Sequence, residues 1–97
     1  MSKSPSESAE DRAEEPLRPA SDVISRTLGE SAVLIRLHTN KIYELNSTGA
    51  RMWDLIKAGS TRQQVVDAML TQFDIERDAL AQAVDELVDL LRAEGLV

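Results

Sequence analysis

The chain has 97 residues, 11 basic against 17 acidic, a net charge of −6 and no cysteine. That length holds one domain at most. The missing cysteines exclude a disulfide framework, thiolate metal sites and a thiol nucleophile, and the acidity argues against a phosphate-binding surface.

Residues 1–21 read as a disordered acidic tail. All three prolines lie there (Pro5, Pro16 and Pro19), with a charged run from Glu10 to Glu15, and apart from the initial Met1 the one large apolar residue is Leu17. Low hydrophobicity with Pro, Ser and Glu does not offset chain entropy. No apolar stretch of signal-peptide length follows the start, and the acids exclude a mitochondrial transit peptide. No segment approaches the roughly 18 consecutive apolar residues of a membrane span. A cytoplasmic protein that folds over residues 22–97 is the expectation.

Strand one is expected at Val23–Leu28 and strand two at Ala32–His38, separated by a turn at Gly29-Glu30-Ser31. In strand two, Val33, Ile35 and Leu37 alternate with Leu34, Arg36 and His38. Thr39-Asn40 makes a tight turn, because Asn tolerates positive φ. Strand three is Lys41–Asn46, with Tyr43 and Leu45 on one face and Ile42 and Glu44 on the other.

Helix one starts after a cap at Asn46 or Ser47, runs to about Lys57 and ends at Gly59. Ala50, Trp53 and Ile56 recur at helical spacing and read as core. Ser60 or Thr61 caps helix two, with Gln63 and Gln64 placed for a capping box. That helix is expected to bury Val65, Val66, Met69, Leu70 and Phe73. Asp74 is the expected cap of helix three, Gly95 its stop, and Leu96-Val97 an apolar fold-back. Strands first and helices second define an α+β domain, a three-stranded antiparallel sheet with three helices on one side. Such a sheet has edges, and an edge strand is either protected or used.

Helix three has a wide apolar arc. Leu80, Val84, Leu87 and Leu91 form one stripe, with Ala81 and Val88 beyond one border and Ala83 and Leu90 beyond the other. The plain reading is a helix packed against two core elements. The sharper one is that a border lines a groove shared with the sheet, with Asp85 and Arg92 as polar rim beside Val88. The span 74–97 holds seven acidic residues against two basic ones.

Catalytic and metal-binding patterns are absent. His38 is the one histidine and reads as a surface residue at a strand end. One His, no Cys and scattered carboxylates build no metal site. Asp85, Glu86 and Asp89 read as a solvated face. No phosphate-cradling Gly-rich loop or nucleophile elbow occurs.

The order of elements and several residues resemble the PqqD-like family, the recognition elements of ribosomally made, modified peptides. The matching pieces are Val33-Leu34-Ile35; Tyr43-Glu44-Leu45-Asn46 leading into Thr48-Gly49-Ala50; Met52-Trp53; Gly59 before Ser60-Thr61; and Leu90-Leu91 with Gly95-Leu96-Val97. The resemblance covers about Val23 to Val97. It implies a winged-helix-like fold and a non-catalytic module without a cofactor. Such a module binds the leader segment of a precursor peptide and presents it to a maturase (a radical-SAM enzyme or cyclase) or a leader peptidase. The leader adds as a strand to strand three, in the cleft with helix three. Carried onto this chain, the binding residues are Lys41, Ile42, Tyr43, Glu44 and Leu45, with Ala81, Val84, Asp85, Val88 and Arg92.

The connection Thr39-Asn40 departs from the proline-containing turn usual in the pyrroloquinoline quinone proteins. In that respect the chain is more similar to the free-standing recognition proteins of lasso-peptide or radical-SAM clusters. The acidic rim of helix three implies a leader with a basic residue near its anchors. The alternative is a winged-helix DNA-binding regulator, since three helices and a hairpin also describe that class. Charge opposes it: helix two offers Arg62 alone, and helix three is acidic.

Overall fold

The computed structural model describes residues 15–97, and the remainder of the expected tail lies outside them. Three strands precede three helices: β1 (Val23–Leu28), β2 (Ser31–Arg36), β3 (Lys41–Leu45), α1 (Ser47–Lys57), α2 (Arg62–Gln72) and α3 (Arg77–Ala93). The sheet is antiparallel in the order β1-β2-β3, so β2 is central and both β1 and β3 are edges. Its register pairs Leu34 with Ser25 on one side and with Tyr43 on the other. Arg36 to Lys41 is the second hairpin connection, and Asn40 takes the left-handed conformation there (φ 58°).

The inner face of the sheet carries Ala32, Leu34 and Leu45, all buried. The three helices cover that face alone. They bring Ala50, Met52, Trp53 and Ile56 from α1, Val65, Val66 and Met69 from α2, and Leu80, Val84, Val88 and Leu91 from α3 into one core. Leu70 and Phe73 pack half-buried at its margin.

Helix ends are set by local chemistry. Asn46 Oδ1 accepts from the Gly49 amide at 2.9 Å and starts α1. Thr61 and Gln64 form a reciprocal capping box for α2. At the end of α3 the Leu96 amide donates to the Leu91 carbonyl and the Gly95 amide to that of Arg92. This double closure requires a left-handed residue, supplied by Gly95 (φ 75°). It folds Leu96 back until it is fully buried, as the terminal Gly-Leu-Val pattern implies. The start of α3 differs from expectation. Phe73 is already extended, and the cap position falls on Glu76, whose side chain makes no capping bond, rather than on Asp74.

Residues 15–21 also depart from a tail reading. The Leu17 amide donates to the Ser60 carbonyl at 2.9 Å, and the Ala20 amide to the Leu96 carbonyl at 2.8 Å. Pro16 forms an isolated bridge with Thr61, and the Leu17 side chain is 4% exposed within the core. A single leucine supplies what the polar composition around it lacks.

Candidate functional site

β3 hydrogen-bonds to β2 on one side, and no strand among the described residues pairs with its other side. Alternation places Ile42 and Glu44 outward and exposed, and Tyr43 and Leu45 inward. This agrees with the face assignment made from the sequence.

The inward side chains of β3 reach the end of α3. Tyr43 donates its hydroxyl to Glu94 Oε1 at 2.6 Å. Lys41 Nζ lies 3.7 Å from the same oxygen. Arg36, on β2, donates to the Glu94 carbonyl at 3.0 Å. The hydrogen bond to Glu94 is the main cause that raises the Tyr43 pKa above its ordinary value, with partial burial and the carboxylate's charge adding to it. Glu94 is held below the ordinary carboxylate range, first by the Tyr43 hydroxyl and then by the charge of Lys41. Each of these shifts favours the same state, a neutral phenol bonded to an ionised carboxylate.

Beyond this clamp the border of α3 that carries Glu94 runs back over the start of α1. A cavity of about 300 Å³ opens there, lined by Asn46, Thr48, Gly49 and Met52 on one side and Ala83, Glu86, Leu87 and Leu90 on the other. Gly49 keeps this wall close to the strand, since a Cβ on it would stand 3.4 Å from Leu45 Cβ. Leu90 is 48% exposed, an apolar side chain that the core does not use. The polar clamp thus joins β3 to the end of α3, and the largely apolar cavity lies past the end of β3, between the start of α1 and α3.

The other border of α3, singled out from the sequence, has its own packing partners. Asp85 Oδ1 accepts from Arg62 of α2 at 3.0 Å, and Asp89 lies 4.0 Å from the same guanidinium. Ala81 lies next to Asp85 on that side of the helix. Arg92 faces the N-terminal segment, in a cavity shared with Pro16, Leu17 and Val97. Val84 and Val88 are each 1% exposed and belong to the core. Asp85 thus lies on the side of α3 that packs against α2 and pairs there with Arg62, whereas Arg92 makes no ion pair among the described residues. Ala83, Leu87 and Leu90 are the α3 residues that face the start of α1, and Glu94, just past the helix, is the residue that meets β3.

Other sequence expectations fall into place around the cleft. Trp53 is 1% exposed and core, and His38 lies exposed beyond the end of β2. Among the described residues no group of three His, Cys, Asp or Glu side chains could hold a metal ion. No helix among them is long and apolar enough to cross a membrane.

Fold and surface together define a class: a small α+β domain whose edge strand β3 ends beside a largely apolar cavity between α1 and α3. Residues 31–97 match the family described as Coenzyme PQQ synthesis protein D (PqqD), and the chain belongs to that family. The fold is similar to that of TbiB1 in complex with the TbiA(beta) leader peptide. The TM-score is 0.79 at 22% sequence identity, over 82% of this chain and 93% of that one. It is also similar to lasso peptide synthetase B1 complexed with the leader peptide, with TM-score 0.74 at 19% identity over 81% and 93%. No curated protein matches the chain. The expected family and the α+β, winged-helix-like architecture are both borne out.

Proposed function

We propose that this protein captures the leader segment of a ribosomally made precursor peptide and presents it to a maturation enzyme or leader peptidase, without catalysing a step itself. The observation that carries this reading is the unpaired edge of β3 beside the apolar trough of α3. Both similar solved structures hold a leader peptide, which supports the same assignment. The leader adds as a fourth strand along Lys41–Leu45, and its alternate side chains turn toward Ala83, Leu87 and Leu90. Main-chain bonds then give affinity and the trough gives specificity. Four or five such bonds at roughly 0.5–1.5 kcal/mol each, with one or two apolar anchors, suffice for micromolar or tighter binding after ordering costs.

The helical half of the proposed site is thus the border with Leu90, in place of Ala81, Val84, Asp85, Val88 and Arg92. The DNA-binding alternative loses its one cation, because Arg62 is already engaged by Asp85 and Asp89. Glu86 lines the cavity without a basic partner among the described residues, so a basic residue near the leader's anchors remains the expectation.

The test is fluorescence anisotropy with synthetic leaders taken from short precursor genes beside this one. Leu90→Asp is expected to weaken binding at least about tenfold, the worth of one buried apolar anchor, with an unchanged circular dichroism spectrum. Asp85→Ala is expected to bind within about twofold of wild type, as surface charges on an unused side do. A Leu90→Asp protein that binds like wild type, or an Asp85→Ala protein that does not, sinks this placement of the site.

A further inference from the structure

The sheet has helices on one side only, and its other face is apolar. An antiparallel sheet with one solvated face ordinarily turns polar residues to water. Here the register lines up Ile24, Ile35 and Ile42 across the three strands on that face. Ile24 is 43% and Ile42 67% exposed, and Leu28 on the same face is 59% exposed. The unbroken run Val33-Leu34-Ile35 on the central strand is the pattern of a strand buried on both faces. Residues 1–14 contain Met1 as their one large apolar side chain, so that segment lacks the chemistry to cover the patch.

The neighbouring row shows which occupant fits. It reads Arg26, Val33, Glu44 across β1, β2 and β3. Both charged residues are exposed, and neither makes an ion pair among the described residues. A plus charge on one edge and a minus charge on the other, about an apolar centre, is self-complementary under a two-fold axis laid along β2.

We propose that the outer sheet face is the interface of a reversible, two-fold symmetric homodimer. In that arrangement β1 of one copy lies over β3 of the other. Ile24 meets Ile42 of the second copy, Ile35 meets its own equivalent, and Arg26 meets Glu44 of the second copy twice, once on each side. The strands stay nearly aligned, as sandwich packing at about 10 Å separation requires. The acidic helices point away on the two outer surfaces, beyond the roughly 8 Å screening length of physiological salt, so the net charge opposes association weakly. The in-plane edge of β3 is left free, and the dimer is independent of what binds there. Three strands spaced about 4.8 Å apart by six residues of about 3.3 Å give a footprint near 300 Å² on each copy. That is well below the roughly 800 Å² per partner of a standard interface, so the dimer dissociates readily.

Sedimentation equilibrium of the full chain tests this. The mass is expected to rise from 10.7 kDa toward twice that value between about 5 and about 500 μM, the range such a small footprint supports. Ile24→Asp and Arg26→Glu, both at exposed positions on β1, are each expected to weaken association at least about tenfold, with an unchanged circular dichroism spectrum. Arg26→Glu combined with Glu44→Arg restores the opposite-charge pairs and is expected to return association to within about threefold of wild type. A monomer at every concentration overturns the proposal. So does a mass rise that neither single variant reduces, or a double variant that stays as weak as Arg26→Glu. A monomeric wild type whose Ile24→Asp variant fails instead in the maturation reaction assigns the face to the enzyme and also overturns it.

Discussion

Truncating Leu17 to alanine is expected to destabilise the domain substantially, although it lies in a stretch whose composition is that of a disordered tail. The side chain is 4% exposed in the core, and the change removes three carbons from it. At about 0.8 kcal/mol per buried methylene, the lost transfer energy is near 2.4 kcal/mol. A residual cavity would add to this in a rigid core. Here the segment is free to release instead, at the cost of the bonds from Leu17 to Ser60 and from Ala20 to Leu96. A net loss of about 2–3 kcal/mol follows, which for a domain of this size lowers Tm by roughly 10–20 °C. Urea and thermal denaturation followed by circular dichroism read the effect. A chain lacking residues 1–14 serves as the control and is expected to melt within about 2 °C of the full chain, because Leu17 and its partners are retained. If Leu17→Ala also melts within that margin, the segment is not part of the folded unit and the reasoning fails.

Two further predictions concern the clamp at the end of α3. Gly95→Ala forces a Cβ onto a left-handed residue (φ 75°), 2.7 Å from the Arg36 guanidinium. It is expected to cost roughly 1–3 kcal/mol, read as a lower urea midpoint with an unchanged m-value. The Tyr43–Glu94 pair makes stability depend on pH at both ends. Glu94 has a depressed folded pKa, so its contribution is present above the ordinary 4.5 and is lost as pH falls through the folded value. Tyr43 has a raised pKa, so its contribution is present below the ordinary 10.0 and is lost as pH rises through the folded value. Tyr43→Phe removes the alkaline loss altogether and makes the acid loss shallower. Thermal melts from about pH 3 to pH 11 test this, and an identical acid slope in the Phe variant would contradict it.

Much of the fold was legible because periodicity, caps and turns agreed with one another. The change from alternation in Lys41–Leu45 to helical spacing after Asn46 marks the end of the sheet. Thr61 with Gln64 marks α2, and Gly95 with Leu96 marks the end of α3. Where the reading slipped, one local signal competed with another. Asp74 is a good capping residue, yet the chain stays extended from Phe73, and the helix waits until Arg77. Leu17 is a lone apolar residue, and composition averages such a residue away. The β3 edge was legible as an edge because three strands joined in sequence order leave the first and the last unpaired on one side.

The choice between the two borders of α3 was hard to read for a different reason. The stripe read from the sequence was Leu80, Val84, Leu87 and Leu91, whereas the buried set is Leu80, Val84, Val88 and Leu91; either is symmetric about its own axis. Periodicity therefore shows that the helix is buried on one side, without showing which flank meets the strand and which meets the neighbouring helix. That choice belongs to tertiary packing. A discriminating signal was nonetheless present in the side chains of the two flanks. One carries Ala81, Asp85 and Arg92, of which Asp85 pairs with Arg62 and Arg92 lines a cavity with the N-terminal segment. The other carries Ala83, Leu87 and Leu90, more apolar surface than the core can absorb. A groove meant to hold a guest strand must leave apolar side chains unsatisfied in the free protein, whereas a helix–helix seam closes its own charges. On that criterion the flank with the surplus leucine is the one to expect at a peptide cleft, and the half-exposed Leu90 is the residue that distinguishes them.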